Sequence, residues 1–136
     1  MDTFEILSQL CSAAGVSGAE GSAAETAAKL LEEYGEVTLD NALGSVICKV
    51  GSWEDGKPVM LLDAHIDEIG MIVTYITEDG FLKISGCGGL DTRLLLAQQV
   101  TVYGKEKLTG IVTSTPPHLE KDSSDAPDLD SVFIDI

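Results

Sequence analysis

The chain holds two histidines, and His65 stands within Asp63-Ala-His65-Ile-Asp67-Glu68, directly after an apolar run. Near neutral pH an imidazole serves as a general base, a proton carrier or a metal ligand. Sites in α/β sheets gather at the carboxyl ends of strands, and His65 falls at such an end if Pro58–Leu62 is a strand. If the chain stays extended there, a period of two puts His65 and Asp67 on one face. The carboxylate can then accept one ring N–H and leave the other nitrogen free for a metal. On spacing alone, His-x-Asp is more often a histidine hydrogen-bonded to its neighbour and nothing else. Glu68 is read either as near the site or as a structural or surface carboxylate. His118, in Pro116-Pro-His118, reads as a loop residue.

The elements that must hold these side chains follow from periodicity. Phe4, Leu7, Leu10, Cys11 and Ala14 recur at helical spacing after the capping residues Asp2 and Thr3, with Gly15 as a stop. Ser17-Gly-Ala-Glu20 has the form of a capping box, and Ala24, Ala27, Ala28, Leu31 and Tyr34 form the buried stripe of a second helix ending at Gly35. The period then changes to two. Val37 and Leu39, a turn at Asn41–Gly44 and the run Ser45–Val50 predict a hairpin. Pro58-Val-Met-Leu-Leu62, continuously apolar, predicts a strand covered on both faces.

Beyond Ile69 the pattern is of short strands: Gly70–Ile76 and Phe81–Ser85 joined through Asp79-Gly80, then Gln99–Tyr103 and Leu108–Thr113. Gly86–Gly89 predicts a sharp turn and Leu90–Leu96 one or two helical turns. No helix of ordinary length fits, so this half is expected to be a small β-barrel or sandwich. Ser114–Ser131, with three of the four prolines among acids and serines, predicts a mobile surface loop centred on Glu120–Ala126. Val132–Ile136 is a strand-like run without a polar tail, expected to be an unpaired edge and to mark a larger product cut short.

Composition narrows the function. Eight basic against 23 acidic residues, net charge −15, disfavour nucleic acid and anionic membranes. The apolar runs are too short to span a bilayer, and the acidic start is unlike a secretory signal, which makes the cytoplasm the default address. Cys11, Cys48 and Cys87 are an odd number, widely spaced, and read as buried small hydrophobes in a reducing compartment.

In order and spacing, Gly15-Val-Ser-Gly18, Asp40-Asn-Ala-Leu-Gly44, Val59 through Gly70, Asp79-Gly-Phe81-Leu82, Gly88-Gly-Leu-Asp91, Gln99-Val-Thr-Val102, Pro116-Pro-His118 and Phe133-Ile-Asp-Ile136 resemble the amino-terminal part of the glutamyl and tetrahedral aminopeptidase family. The Ala-His-x-Asp-Glu-Ile-Gly block carries most of the specificity. The resemblance implies an α/β fold: part of an αβα catalytic domain over residues 1–69, then an inserted β-barrel-like dimerisation domain over 70–136. It implies metal-dependent removal of N-terminal residues from peptides with a free first residue. His65 would ligate one of two ions, zinc or cobalt, and Asp67 would orient it. It also implies homo-oligomers, dimers building to dodecamers.

The family's bridging aspartate, general-base glutamate, further carboxylates and final histidine find no counterpart in these residues, so the isolated chain is expected to be inactive and to bind no metal. The alternative expectation is a noncatalytic oligomerisation or interaction module using the apolar end strand as an edge. Arg93, the only arginine, is expected to form a local salt bridge with Asp91 or another carboxylate rather than to recognise substrate.

Overall fold

Asp2 opens the first helix by a reciprocal bond set. Its carboxylate accepts from Glu5 N–H at 2.8 Å while the Glu5 side chain reaches back to the Asp2 N–H, a capping box that satisfies two orphan donors. The computed structural model describes residues 2–40, 42–115 and 127–136. They divide into two compact units, Met1–Glu68 and Ile69–Ile136.

The first unit carries α1 (Thr3–Ser12), α2 (Gly21–Leu31) and a two-stranded antiparallel ribbon of β1 (Glu36–Leu39) and β2 (Val46–Lys49). On α2, Ala23, Ala24, Ala28 and Leu30 are buried: the buried face is mostly alanine as expected, but of the expected stripe only Ala24 and Ala28 are fully buried, with Ala27 and Leu31 half-buried. The helix stops at Leu31, one turn before the anticipated Gly35, and Tyr34 lies exposed in the connecting turn. Gly35 packs against β2: a Cβ there would overlap the Lys49 carbonyl oxygen and lie 3.3 Å from Cys48 Sγ. Gly35→Ala is expected to cost about 1–3 kcal/mol through that overlap, measured by urea denaturation followed through Trp53, the single tryptophan. The Asp40 carboxylate ties the β1–β2 loop by accepting from Ala42 and Leu43 N–H, and Gly44 closes it at φ +71°.

Two expectations for this unit are corrected. Pro58–Leu62 forms no strand and is not covered. Leu62 is 87% exposed, and Val59, Met60 and Leu61 are exposed with it. A two-faced apolar strand needs pairing neighbours and covering layers, and the described residues supply neither. The cysteines are free, but none is buried: Cys11 is exposed on α1, a helix with no buried residue, and Cys48 and Cys87 are half-buried.

The second unit is one antiparallel sheet of β3 (Gly70–Ile76), β4 (Leu82–Cys87), β5 (Gln99–Tyr103), β6 (Lys107–Ser114) and β7 (Val132–Asp135), in the spatial order β3-β4-β7-β6-β5. The Asp79-Gly80 signal is realised. Gly80 takes φ +91°, and Thr77 holds both sides of the turn, its hydroxyl accepting from Phe81 N–H at 2.9 Å. Among the described residues β3 and β5 end the ladder order and no pairing joins them, so the sheet is not a barrel closed by strand pairing.

The last strand is the largest departure. β7 is no edge: it pairs with β4 on one side (Leu82↔Ile134) and β6 on the other (Val112↔Ile134). Directly opposed residues share a face in an antiparallel ladder. Leu82, Ile84, Val112, Val132 and Ile134 thereby form the core of this unit, with Met71, Leu95, Val100, Val102 and Leu129 packed on it. The interaction-module reading loses the exposed edge that motivated it. On the opposite face Phe133 meets Phe81 edge-on at 6.4 Å, with Lys83 Nζ over its ring.

Between β4 and β5 the expected helical turns reduce to a 3-10 turn at Thr92–Leu94. Asp91 starts it by accepting from Arg93 N–H, and the Arg93 guanidinium closes a bidentate pair on the same carboxylate at 2.8 and 2.6 Å, the pairing the sequence anticipates. Arg93 holds the Asp91 carboxyl below its ordinary range, chiefly through that hydrogen bond. A lowered folded value means the contribution is present above the unfolded value and lost as pH falls through the folded one. Arg93→Leu is expected to return Asp91 to the ordinary carboxylate value, read by carboxyl-carbon NMR titration. The predicted loop at Glu120–Ala126, like His118, lies outside the described residues.

Candidate metal-ligand site

Residues 15–17, in the connection between α1 and α2, are zipped to the segment that follows the apolar run. Val16 and Glu68 form a parallel bridge, Glu68 N–H donates to the Gly15 carbonyl at 2.8 Å, and Gly15 N–H donates to Glu68 Oε1 at 3.2 Å. Gly15 is required here: a Cβ would stand 2.9 Å from that of Ala23. Glu68 Oε1 is thus bonded to the backbone, while Glu68 also lines the depression shared with His65.

This zipper sets Ser17 beside Asp67. Ser17 Oγ donates to Asp67 Oδ2 at 2.5 Å, and Asp67 Oδ1 lies 3.0 Å from His65 Nδ1. The ring nitrogen is also 3.2 Å from the Asp67 carbonyl. The Ser17 hydroxyl bond and the His65 contact, in that order, hold the Asp67 carboxyl below its ordinary range. An ionised carboxylate and a carbonyl only accept, so in the neutral ring the proton sits on Nδ1 and Nε2 keeps its lone pair. The His65 side chain is 85% exposed. The sequence-predicted pair is therefore brought together, in the expected orientation, with the second nitrogen accessible.

Ser17 was missed at this site. Its expected role, capping α2 in a box with Glu20, is not taken up: Glu20 occupies the cap position without a side-chain cap bond, and its carboxylate accepts from Gly18 N–H at 2.6 Å. The pattern Ser-x-x-Glu cannot distinguish a cap from a hydroxyl bonded to a carboxylate 50 residues along the chain.

Beside the pair, a depression of about 430 Å³ is lined by Leu10, Cys11, Ala23, Ala27, Ile66 and His65, among others. Its walls are mostly apolar. Among the described residues no group of three or more His, Cys, Asp or Glu side chains is arranged to hold an ion. His65 and Asp67 fit the part of one ligand and its orienting partner, and no more. No helix among the described residues is long and apolar enough to cross a membrane.

The fold of the described residues is shared with solved aminopeptidase structures. Residues 44–136 match the family model described as M42 glutamyl aminopeptidase, and the chain belongs to that family. A TET aminopeptidase from the marine-sediment Thaumarchaeota archaeon SCGC AB-539-E09 superposes with a TM-score of 0.86 at 33% identity, over 98% of this chain and 37% of that one. The TET1 peptidase of Pyrococcus horikoshii, described as assembling into a tetrahedron or a large octahedral shell, gives 0.82 at 32% identity, covering 99% and 40%. The lysyl aminopeptidase of Pyrococcus furiosus is 28% identical over 100% of this chain and 40% of its own length. The chain thus spans about two-fifths of the length of these relatives.

Proposed function

We propose that this chain is part of a metal-dependent aminopeptidase that removes N-terminal residues from peptides with a free amino terminus. The observation that carries the proposal is the His65–Asp67 pair at 3.0 Å with the other ring nitrogen exposed, in a chain of the M42 family. His65 supplies one ligand through Nε2, and Asp67 holds the ring in the tautomer that ligation needs. Imidazole suits both zinc and cobalt. A pair of such ions would supply Lewis-acid chemistry for peptide hydrolysis, with His65 as one of the residues that would hold them.

One imidazole is short of the roughly three or four donors of a working site. On this reading the other ligands and the general base come from outside these residues, and the 136-residue chain alone is inactive and binds no metal. Residues 70–136 act as the inserted dimerisation domain, and the protein is a cytoplasmic homo-oligomer. The oligomers described for related peptidases support this, including a TET1 structure with a dodecamer in its asymmetric unit. The test uses a full-length enzyme carrying this chain. It should release the first residue of an unblocked peptide with zinc or cobalt present, and release nothing after chelation or from an N-acetylated peptide. Release that is indifferent to chelation overturns the proposal.

A further inference from the structure

We infer that Ser17 is a positioning residue for His65: its hydroxyl fixes the Asp67 carboxylate, which in turn fixes the imidazole with the proton on Nδ1 and Nε2 directed outward. The metal role of that nitrogen rests on the function proposed above. The positioning role does not.

The geometry divides the Asp67 carboxylate between two neighbours, Oδ2 to Ser17 Oγ at 2.5 Å and Oδ1 to His65 Nδ1 at 3.0 Å. The Asp67 side chain is 41% exposed and the imidazole far more so, so the ring has little packing to hold it and the carboxylate only part of its surface covered. An exposed carboxylate with a single partner turns about its side-chain torsions and trades that partner for water. A second bond to the other oxygen restrains the turn.

Ser17 is suited to give that bond because its own backbone is fixed. The Val16–Glu68 bridge and the reciprocal Gly15–Glu68 bonds seat the 15–17 strip against residue 68, and Ser17 N–H donates to the Glu68 carbonyl at 3.4 Å. The hydroxyl has no helix-capping duty competing for it, since the α2 cap has no side-chain bond. It also lies on an exposed residue, where the added methyl of threonine has room. The arrangement is a hydrogen-bonded chain of serine, carboxylate and imidazole in which serine is the anchored end, and the ring the free one.

The test reads the tautomer of His65 from long-range proton–nitrogen NMR spectra of the metal-free 136-residue chain, with the ring in its neutral form. A His118→Gln background leaves one imidazole to observe. A histidine side chain free in water favours the Nε2–H form. The unmodified site should show predominantly Nδ1–H, Ser17→Ala should shift the population towards Nε2–H, and Ser17→Thr should retain the original spectrum. Should Ser17→Ala fail to fold, Ser17→Val against Ser17→Thr makes the same comparison at matched shape, differing in the hydroxyl. Identical tautomer populations in Val and Thr variants, or an Nε2–H ring in the unmodified chain, overturn the inference.

In the full-length enzyme, Ser17→Val should weaken zinc binding by about tenfold relative to Ser17→Thr. A tautomer shift in an enzyme that binds no zinc at all would support the positioning role and overturn the metal reading, so the two failures are told apart.

Discussion

Ile134→Ala is expected to lower the stability of the antiparallel unit by about 2–5 kcal/mol, the range for truncating a buried isoleucine that leaves a cavity behind. Ile134 is 3% exposed and lies directly opposite Leu82 on one side and Val112 on the other, so its side chain joins two ladders in a single layer. The gap left by alanine would open at the centre of the sheet, where the strands flanking β7 cannot close over it without giving up register. Ile136→Ala, at a position 55% exposed, should change stability by no more than about 0.5 kcal/mol. Urea denaturation followed by far-ultraviolet circular dichroism makes the comparison. Equal effects of the two substitutions would show that the centre of this sheet is not where its stability resides.

The second large effect is on chemistry. In a full-length enzyme carrying this chain, Asp67→Asn is expected to weaken divalent-ion binding and peptide hydrolysis about 10–100-fold, as for other partners of metal-ligating histidines. The amide can keep both hydrogen bonds, its oxygen towards His65 Nδ1–H and its NH2 towards Ser17 Oγ, whose hydroxyl can accept as well as donate. What it loses is the negative charge that raises the basicity of the ring. The loss should therefore fall on metal affinity first, and added zinc should restore part of the rate. Equal zinc affinity in Asp67→Asn and the unmodified enzyme would show that the Asp67 charge does not strengthen His65 as a ligand.

What could be read from the sequence was what depends on near neighbours. Asp2 as a helix cap, Asp79-Gly80, and Asp91 as a partner of Arg93 each act within a few residues, and each stands as expected. The His65–Asp67 contact belongs to the same class, since two residues on one extended face need nothing distant to meet. The misreadings concern partners far along the chain. Ser17 carries a local cap signature yet bonds to Asp67, because the bridge at Val16 and Glu68 brings a better acceptor within reach. Val132–Asp135 looks like an edge when read alone, and its central place is set by β4 and β6. For Pro58–Leu62 the composition of a covered strand is plain, but composition does not say which residues do the covering.

The order of strands in the second unit has a consequence for how it comes to exist on the ribosome. The β3–β4 hairpin is complete at Cys87 and β5–β6 at Ser114, yet the two ribbons are neighbours only through β7, which begins at Val132. Each ribbon alone is a two-stranded hairpin, marginal in water. Until the wedge between them has been synthesised, Leu82 and Val112 have no shared layer to enter, and both hairpins hold open, sticky flanks towards solvent. Of the described strands, the one that joins the two ribbons is synthesised last, so any delay in translating residues 115–131 prolongs the interval in which two nascent ribbons are vulnerable to pairing with the wrong chain.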